Sequence, residues 1–440
     1  MSSMRYEDAW SFLDRLQFFK IKLGLDSMNV FLESLDQPQK SYPCIHIGGT
    51  NGKGSVGATL VTILSEAGYR VGFYTSPHLS SVRERFRIND RFIAQEAFTR
   101  QAERIIGILD GRQITYFEFT TALAMLWFAD QQVDLAIFEV GLGGRLDATN
   151  VVRPLVSVIT NVGYDHEQYL GNTIEEIAFE KAGIIKAGIP VVAGVKKPEA
   201  LEVIRATAVR QHAPFYLLGR DFSGAREKND PEKWAYRGLK TGSGQPQLTI
   251  DRLSLNIRGD YQVDNASIAL AVLELVNPSF PVSQAAISAG LTKVSWPGRL
   301  EEFWLDKPEP VHILLDGAHN PDGAVALKKS LLHDFTWSRL ILVWASMSDK
   351  DIKNTLLEIA SLADLIIFTR PEAERSARPE ALIDILPDTL RGRCTGSDSV
   401  SDALDRAIGA YKTGDMICIA GSLYLVGRAR QLLLGELVDQ

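Results

Sequence analysis

The segment GGTNGKGS, residues 48–55, places four glycines and one lysine between an apolar run and a helical pattern. The run CIHI before it is typical of a central strand, and VGATLVTIL after it is typical of a helix that packs on that strand. Glycine weakens both kinds of element, so this many glycines indicate that something approaches the backbone closely. A strand, a glycine-rich turn with a lysine, and a helix form a phosphate cradle, in which backbone N–H groups and the helix dipole face the phosphate oxygens.

Lys53 and Ser55 are the side chains that such a cradle uses. The lysine spans the outer phosphates, and the hydroxyl at the helix entry holds Mg²⁺. Gly54 is an insertion between the two, compared with the usual pattern. The alternative is a glycine-rich strand–helix turn without a ligand. The nucleotide-binding residues predicted from this segment are Asn51, Gly52, Lys53, Gly54, Ser55 and Val56.

Short apolar runs alternate with helical patterns along most of the 440 residues. This alternation predicts an α/β fold with a mostly parallel sheet, whose ligand-binding loops lie at the carboxyl ends of the strands. The polar stretch from Gly219 to Gly259 ends in alternating residues and predicts a small antiparallel extension. A second α/β alternation of four strands follows a hinge near Ser295–Pro297. We therefore predict two domains, residues 1–295 and 296–440.

Composition and charge argue against several classes of protein. A net charge of −7 and a pI near 5.6 are atypical of a general nucleic-acid binder. The three cysteines show no CxxC spacing, and Cys44 and Cys418 lie in apolar runs, which predicts buried free thiols in a reducing compartment. The amino terminus reads as an amphipathic helix rather than a signal peptide, and no apolar run reaches the length of a membrane span. We expect a cytoplasmic monomer without a nucleic-acid or membrane partner.

A collinear series of motifs resembles one family of enzymes. In chain order, the motifs are GTNGKGS, TSPHLSSVRERFRIN, TYFEFTTALAM, EVGLGGRLDATN, ITNVGYDHEQYLG, EKAGIIK, WPGRLE, LDGAHNP, SDKD and GSLYLVG. Together they resemble the folylpolyglutamate synthase/dihydrofolate synthase branch of the Mur ligase superfamily, from IKLGLDSM near the start to the last helix. The resemblance implies a Mur-ligase-like P-loop ATPase domain that also binds folate, followed by a smaller Rossmann-like glutamate-ligase domain.

The resemblance implies an ATP-dependent ligase that adds L-glutamate to dihydropteroate, to the γ-carboxylate of reduced folates, or to both. In this family the γ-phosphoryl group of ATP moves to the acceptor carboxylate, and the amine of glutamate attacks the acyl phosphate. Both steps concentrate negative charge, so positioning and cations are the main contributions of the protein. We expect both acceptors to be used. The implied cofactors are ATP and two Mg²⁺ ions, and a monovalent cation is left open.

The metal ligands implied by the resemblance are Ser55, Glu139, His166 and, as a carbamate, Lys181. Glu139 ends one predicted strand and His166 follows the next, so both reach the edge of the sheet where the phosphate cradle lies. The alternatives are an ion pair of Glu139 with Arg145 and a loop hydrogen bond or cap at His166. Thr173 and Glu176 have the spacing of a capping box, which places Lys181 towards the end of a helix. The alternative for Lys181 is a solvated lysine near that helix carboxyl terminus. The residues implied for catalysis are Lys53, His166 and Lys181.

The resemblance also implies which residues contact ATP outside the phosphate cradle. ATP-contacting residues outside the cradle are Asn265, Arg299, Asp316 and His319. The alternative for the DGAHNP segment is a plain turn with an asparagine cap. Tyr261 stands where the family often has histidine, and it lacks the proton chemistry of that histidine.

The pterin-bearing substrate is assigned to three segments and to the SPHL loop, which with Arg83 and Arg85 forms a mobile, partly basic loop suited to a carboxylated substrate. Tyr116 and Phe117 can stack on a flat ring, and Asp147 can accept from its amino group. The alternatives are core packing for Phe117 and a turn cap for Asp147. The assigned residues are Gly24, Leu25, Asp26, Ser76, His78, Arg83, Thr115, Tyr116, Phe117, Glu118, Leu146, Asp147 and Ala148.

Other functions stay open at this point. The chain could extend folates only, without acting on dihydropteroate. Another Mur-type ligase, acting on peptidoglycan precursors or cyanophycin, is not expected to carry TSPHL…ERFRIN together with EVGLGGRLDATN. A regulatory ATP-binding module without catalysis is disfavoured by the joint presence of all the implied catalytic and metal-binding side chains.

Overall fold

The computed structural model describes residues 4–16, 24–109, 111–240, 247–372 and 375–435. Within these residues the chain forms two α/β units, each built around its own sheet, and a small antiparallel sheet that packs on the first unit. No helix in the described part of the chain is both long enough and apolar enough to cross a lipid bilayer. Cys44 and Cys418 are buried free thiols, as predicted.

The strands of the first sheet are β1 (Cys44–Gly48), β2 (Val71–Tyr74), β3 (Phe86–Ile88), β4 (Arg91–Phe92), β5 (Leu135–Glu139), β6 (Val156–Ile159), β7 (Val191–Ala193) and β8 (Phe215–Leu217). Their order across the sheet is β4-β3-β2-β5-β1-β6-β7-β8, and only the pairs that involve β3 are antiparallel. Because β1 lies between β5 and β6, the loops that follow these three parallel strands meet at one edge. That edge carries the candidate site.

Helices cover both faces of this sheet, because the strands are buried on both sides. They are α1 (Tyr6–Arg15), α2 (Asp26–Glu33), α3 (Lys53–Glu66), α4 (Gln95–Leu109), α5 (Tyr116–Asp130), α6 (Glu167–Leu170), α7 (Ile174–Ala182), α8 (Pro198–Arg210), α9 (Asp260–Val276) and α10 (Gln284–Lys293). One core cluster joins α1, α4 and α5 to the sheet, and another joins α3, α9 and α10 to the opposite face. The amphipathic amino-terminal helix is confirmed as α1.

The antiparallel extension is confirmed as a three-stranded sheet in the order β11-β10-β9. Its strands are β9 (Ser223–Glu227), β10 (Asp230–Arg237) and β11 (Thr249–Leu253). Trp234 and Tyr236 of β10 are fully buried and belong to the core cluster that contains α9. The extension is thus part of the first unit rather than a separate body.

The second sheet has the order β12-β13-β17-β14-β15-β16 and is parallel except for β12. Its strands are β12 (Glu301–Leu305), β13 (Val311–Leu315), β14 (Leu340–Trp344), β15 (Leu365–Phe368), β16 (Cys394–Gly396) and β17 (Met416–Ala420). The helices around it are α11 (Pro321–Asp334), α12 (Ile352–Ala360), α13 (Pro379–Ile385), α14 (Asp388–Arg391), α15 (Val400–Ala410) and α16 (Leu423–Leu434). The four predicted strands are present. The prediction missed the edge strands β12 and β16, because both are only half-buried and lack a continuous apolar run.

Candidate active site

The glycine-rich turn leads from β1 into α3, which begins at Lys53. Gly52 has φ +86°, and a Cβ there would lie 2.5 Å from Oδ1 of Asn265, so only glycine suits this position. The Lys53 amine donates to the carbonyls of Gly49 (3.1 Å) and Thr50 (3.2 Å) and lies 3.9 Å from Oε1 of Glu139. The cation is therefore held across the mouth of the turn, beside a buried carboxylate.

Side chains from the loop after β6 brace this turn. Oδ1 of Asn161 accepts from the backbone N–H groups of Thr50 (3.1 Å) and Asn51 (2.8 Å), and the Thr160 hydroxyl donates to the Asn51 carbonyl (2.6 Å). These contacts fix the backbone of the turn. Sequence reasoning did not select Asn161 or Thr160, although both lie in the quoted motif ITNVGYDH.

Glu139 is 4% exposed and accepts a hydrogen bond from the Thr75 hydroxyl. Burial raises the pKa of Glu139, while the nearby Lys53 opposes that rise. Its alternative partner, Arg145, instead pairs with Glu180 at 2.8 Å. The carboxylate is thus left facing the lysine of the cradle.

His166 immediately precedes α6 and has a left-handed backbone conformation, with φ +53°. Its side chain makes no capping bond; Nε2 lies 3.4 Å from the Lys350 amine and 3.9 Å from Oδ1 of Asp165. Burial, opposed in part by Asp165, lowers the pKa of His166 to about 4. The imidazole is therefore neutral at pH 7, which is the form that binds metals.

Lys181 lies in the last turn of α7, where the predicted capping box of Thr173 and Glu176 is confirmed at the other end. Lys181 is only 4% exposed, so the solvated-lysine alternative is wrong. Burial, with a further contribution from the charge of Lys53, lowers the pKa of Lys181 to about 7. A large fraction of this amine is neutral at pH 7, and the neutral form is the nucleophilic one.

The second unit meets this edge through a cluster centred on Asp165. The Asp165 carboxylate accepts from the Lys350 amine at 2.5 Å and from Asn320 at 3.3 Å, and it lies 3.5 Å from Nε2 of His319. Burial alone raises the pKa of Asp165, but the hydrogen bond and charge of His319, with the charges of His166 and Lys350, hold that pKa well below its usual value. The two units are joined directly above the candidate phosphate site.

The segment from Asp316 to Asn320 follows β13. Asp316 accepts from the backbone of Leu300 and Ala318, both at 2.9 Å, and its pKa is raised by burial despite the charge of Arg299. Asn320 caps α11 by accepting from the backbone N–H of Gly323 at 2.8 Å, so the asparagine cap is present. Its side chain also exchanges two hydrogen bonds with Asn51, at 3.0 and 3.1 Å. The cap therefore doubles as a contact to the phosphate cradle.

The residues assigned to the pterin-bearing substrate lie mainly around the start of α5. Thr115 caps this helix, and the Glu118 carboxylate accepts from Ser27 at 2.5 Å. Phe117 packs on Tyr74 with ring centroids 5.9 Å apart, and Tyr116 lies beneath the guanidinium of Arg85. Both aromatic rings are half-buried, so part of each faces away from the core.

Asp147 satisfies its carboxylate locally. It accepts from the backbone of Gly141 (3.0 Å), Leu142 (2.8 Å) and Thr149 (3.0 Å), so the turn cap is formed. Of its neighbours, Leu146 is half-buried and Ala148 is buried. The remaining candidates, Gly24, Leu25 and Asp26, lie at the entrance of α2, and Asp26 is exposed.

The SPHL loop has two arginines with different surroundings. Arg83 donates through Nε to the Ile93 carbonyl at 2.6 Å, whereas Arg85 donates through Nε to Nδ1 of His78 at 2.9 Å. The Glu84 carboxylate accepts from three successive backbone N–H groups of the loop, at 2.7 to 2.9 Å. The expected mobility of this loop finds no support in these contacts, which fix its backbone.

Three comparisons with known proteins agree with this arrangement. The sequence profile described as the Mur ligase middle domain matches residues 47–273, and the one described as the Mur ligase glutamate ligase domain matches residues 298–423. The chain is 36% identical over 439 residues to a dihydrofolate synthase/folylpolyglutamate synthase of Bacillus subtilis, covering 97% of this chain and 99% of the relative.

Solved structures of similar proteins cover the whole fold. Folylpolyglutamate synthase of Mycobacterium tuberculosis complexed with ADP matches with a TM-score of 0.89 and 32% identity, covering 99% of both chains. FolC of E. coli in complex with DHPP and ADP matches with a TM-score of 0.87 and 31% identity, covering 98% of both chains.

Proposed function

We propose that this chain, which belongs to the dihydrofolate synthase/folylpolyglutamate synthase family of Mur ligases, is an ATP-dependent ligase that adds L-glutamate to dihydropteroate and to the γ-carboxylate of folates. The observation that carries the proposal is the group of side chains at one edge of the first sheet. There Lys53, Ser55, Glu139 and Lys181 surround a glycine-rich helix entry, and His166 lies where the second unit closes over it. A lysine cation and a neutral amine near one helix amino terminus suit phosphoryl transfer to a carboxylate.

In the proposed reaction, Lys53 and the helix entry orient the γ-phosphoryl group of ATP towards the acceptor carboxylate. Bond formation between the carboxylate oxygen and phosphorus releases ADP and leaves an acyl phosphate. The amine of L-glutamate then attacks the carbonyl carbon, and the tetrahedral intermediate expels phosphate. Asn265 touches the phosphate turn at Gly52, and Arg299, Asp316 and His319 supply the second unit's side of the proposed ATP site.

Two Mg²⁺ ions belong to the proposal, and the residues present fit them. No group of three or more His, Cys, Asp or Glu side chains within the described residues could hold a metal alone. A Mg²⁺ ion that takes most of its ligands from phosphate and water needs only one or two protein oxygens, and Ser55 and Glu139 offer these. Neutral His166 and carbamylated Lys181 complete the proposed ligand set. Bound Mg²⁺ supplies charge neutralisation of the phosphates.

Carbamylation of Lys181 is supported by its burial and by its pKa of about 7. Addition of CO₂ to the neutral amine forms an N–C bond and releases one proton, giving a carboxylate at the edge of the site. Intact mass of enzyme equilibrated with bicarbonate and Mg²⁺ should show the added carbamate, which Lys181→Arg should lack. An ATP-bound crystal structure with a free Lys181 ammonium and no metal contact would refute this part.

We further propose that residues 1–295 bind ATP and folate and that residues 296–440 form the glutamate-ligase domain. The matched profiles, which end at residue 273 and resume at residue 298, support this division. A cytoplasmic location, a monomeric state, use of a monovalent cation, and the absence of nucleic-acid and membrane partners stay predictions.

Release of inorganic phosphate tests the function. Purified protein with ATP and Mg²⁺ should release phosphate only when L-glutamate and an acceptor are both present. Dihydropteroate and a reduced folate monoglutamate should each serve as the acceptor. Turnover with the folate alone would restrict the protein to chain extension, and phosphate release independent of any acceptor would reject the ligase.

A further inference from the structure

Arg85 is a buried cation among the residues assigned to the acceptor. It ends the short turn Val82–Arg85 that leads into β3, and it is 8% exposed. Its carbonyl accepts from the backbone N–H of Thr75 at 3.1 Å, and the Thr75 hydroxyl donates to Glu139. The backbone of Arg85 is therefore linked through Thr75 to the carboxylate proposed to bind metal. The guanidinium instead contacts His78 and Tyr116, two residues assigned to the acceptor.

No anionic side chain neutralises this arginine. Within the described part of the chain, its side-chain contacts are the neutral acceptor Nδ1 of His78 at 2.9 Å and Tyr116, whose hydroxyl oxygen accepts a hydrogen bond from the arginine and whose ring centroid lies 5.2 Å from the guanidinium carbon. Burial and the charge of Arg85 lower the pKa of His78 to about 3, so that histidine stays neutral. Buried charges in proteins are normally paired, because an unpaired one is costly. An anionic ligand at Arg85 would remove this cost.

The two acceptors of the proposed reaction differ in the anion that they can offer. Dihydropteroate has a single carboxylate, and that group must react at the phosphate edge. A folate that already bears glutamate has its reacting γ-carboxylate and an α-carboxylate that does not react, and two methylene groups and the α-carbon separate the two. An arginine whose guanidinium lies against His78 and Tyr116, both assigned to the acceptor, is suited to this second carboxylate, which it can bind in the bidentate geometry that arginine favours.

We propose that Arg85 binds the α-carboxylate of the acceptor's terminal glutamyl residue and thereby favours glutamylated folates as acceptors. The inference rests on the proposed function. Arg83 is a poorer candidate because it is only half-buried, so solvent screens its charge, whereas Arg85 is buried. Incoming L-glutamate is the competing ligand for this cation, and its KM distinguishes the two assignments.

The test measures wild type and one variant with each of two acceptors. The kcat/KM of wild type and of Arg85→Gln is measured for a reduced folate monoglutamate and for the same folate with its α-carboxylate converted to an amide. We expect wild type to favour the free carboxylate by about tenfold or more, as for a charged hydrogen bond, and Arg85→Gln to reduce this preference to about twofold. Arg91→Gln, an exposed arginine on the neighbouring β4, is the matched control and should keep the wild-type preference.

Other outcomes overturn the inference without touching the proposed function. An equal loss with both acceptors, or a raised KM for L-glutamate with the preference intact, would give Arg85 another role. Equal kcat/KM of wild type with the two acceptors contradicts the inference whatever the variant does. Ligand-free Arg85→Gln should melt no lower than wild type, because it removes an unpaired buried charge. Wild type that is inactive with every acceptor would instead reject the proposed function, and the inference with it.

Discussion

Burial decides which ionisable side chains of the candidate site carry a charge. Lys181 and His166 both have lowered pKa values, whereas Glu139 has a raised one, and in each case burial is the largest cause. His166 is therefore neutral at pH 7, and a large fraction of Lys181 is neutral as well. Such shifts are typical of functional sites, although structural networks also produce them.

The buried amine of Lys181 predicts a pH-dependent stability. The folded chain releases the proton near pH 7 and the unfolded chain near pH 10.5, so the unfolded state binds more protons between these values. The free energy of unfolding of wild type, relative to Lys181→Met, should rise across this window by at most about 1.4 kcal/mol per pH unit. Denaturant unfolding in bicarbonate-free buffer at pH 6.5 to 9.5 measures it, and a difference that stays constant would contradict the assignment.

Removal of the cradle lysine should abolish catalysis without unfolding the protein. Lys53→Met keeps the aliphatic stem but removes the cation, and we expect kcat to fall by about 100-fold or more, as for loss of a preorganised charge. The melting temperature should change little. Lys293→Met removes an exposed lysine that pairs with Glu66, and it is the matched control. Turnover of Lys53→Met near the wild-type rate would contradict the proposed role.

At the scale of elements, the start of α3 is shaped by a residue far away in the chain. A Cβ on Gly54 would lie 2.7 Å from the indole of Trp296, which is in the predicted hinge. The unusual glycine between Lys53 and Ser55 is therefore required by packing. The indole ring also lies against Phe73 of β2, at 5.7 Å between centroids, so the hinge segment, α3 and the sheet form one contact.

Gly54→Ala should destabilise the protein by about 1 to 3 kcal/mol, the usual range for overpacking. Trp296→Phe opens space next to position 54, so the double variant should lose less stability than the sum of the two single variants. Denaturant unfolding of the four proteins measures this coupling. Additive losses would show that Gly54 and Trp296 do not share the contact.

Local patterns in the sequence were sufficient for much of this fold and for one side of the site. The parallel strands, the glycine-rich turn between β1 and α3 and the capping box of α7 depend on nearby residues, and they were predicted correctly. Asp165 was missed because its role depends on Lys350 and His319, which are contributed by the second unit. Strand β12 was missed because an edge strand needs no continuous apolar run.

At the scale of the whole molecule, the two units contact each other across the candidate site through charged and polar groups. Asp165 gathers Lys350, His319 and Asn320 of the second unit, and Asn320 also reaches Asn51 of the phosphate cradle. At the periphery, Lys197 pairs with Asp322 at 3.3 Å. Because the central cluster is buried, it should contribute far more to the closed arrangement than the exposed pair.

Asp165→Asn should weaken the contact between the units, because it keeps the shape of the side chain but removes the negative charge that faces Lys350 and His319. We expect kcat to fall by about tenfold or more, since the loss of a buried charge pair costs several kcal/mol. The radius of gyration measured by small-angle scattering should increase. Asp322→Asn is the peripheral control. Unchanged kcat and radius for Asp165→Asn would show that the cluster does not hold the units together.

The fate of the acceptor's carboxylate oxygens tests the central claim most directly. Dihydropteroate or a folate monoglutamate is labelled with ¹⁸O in the reacting carboxylate and turned over with ATP and L-glutamate. An acyl phosphate requires that one labelled oxygen leaves with the phosphate, so each phosphate released should carry one ¹⁸O atom. Unlabelled phosphate, formed together with the amide product, would contradict transfer of the phosphoryl group to the acceptor.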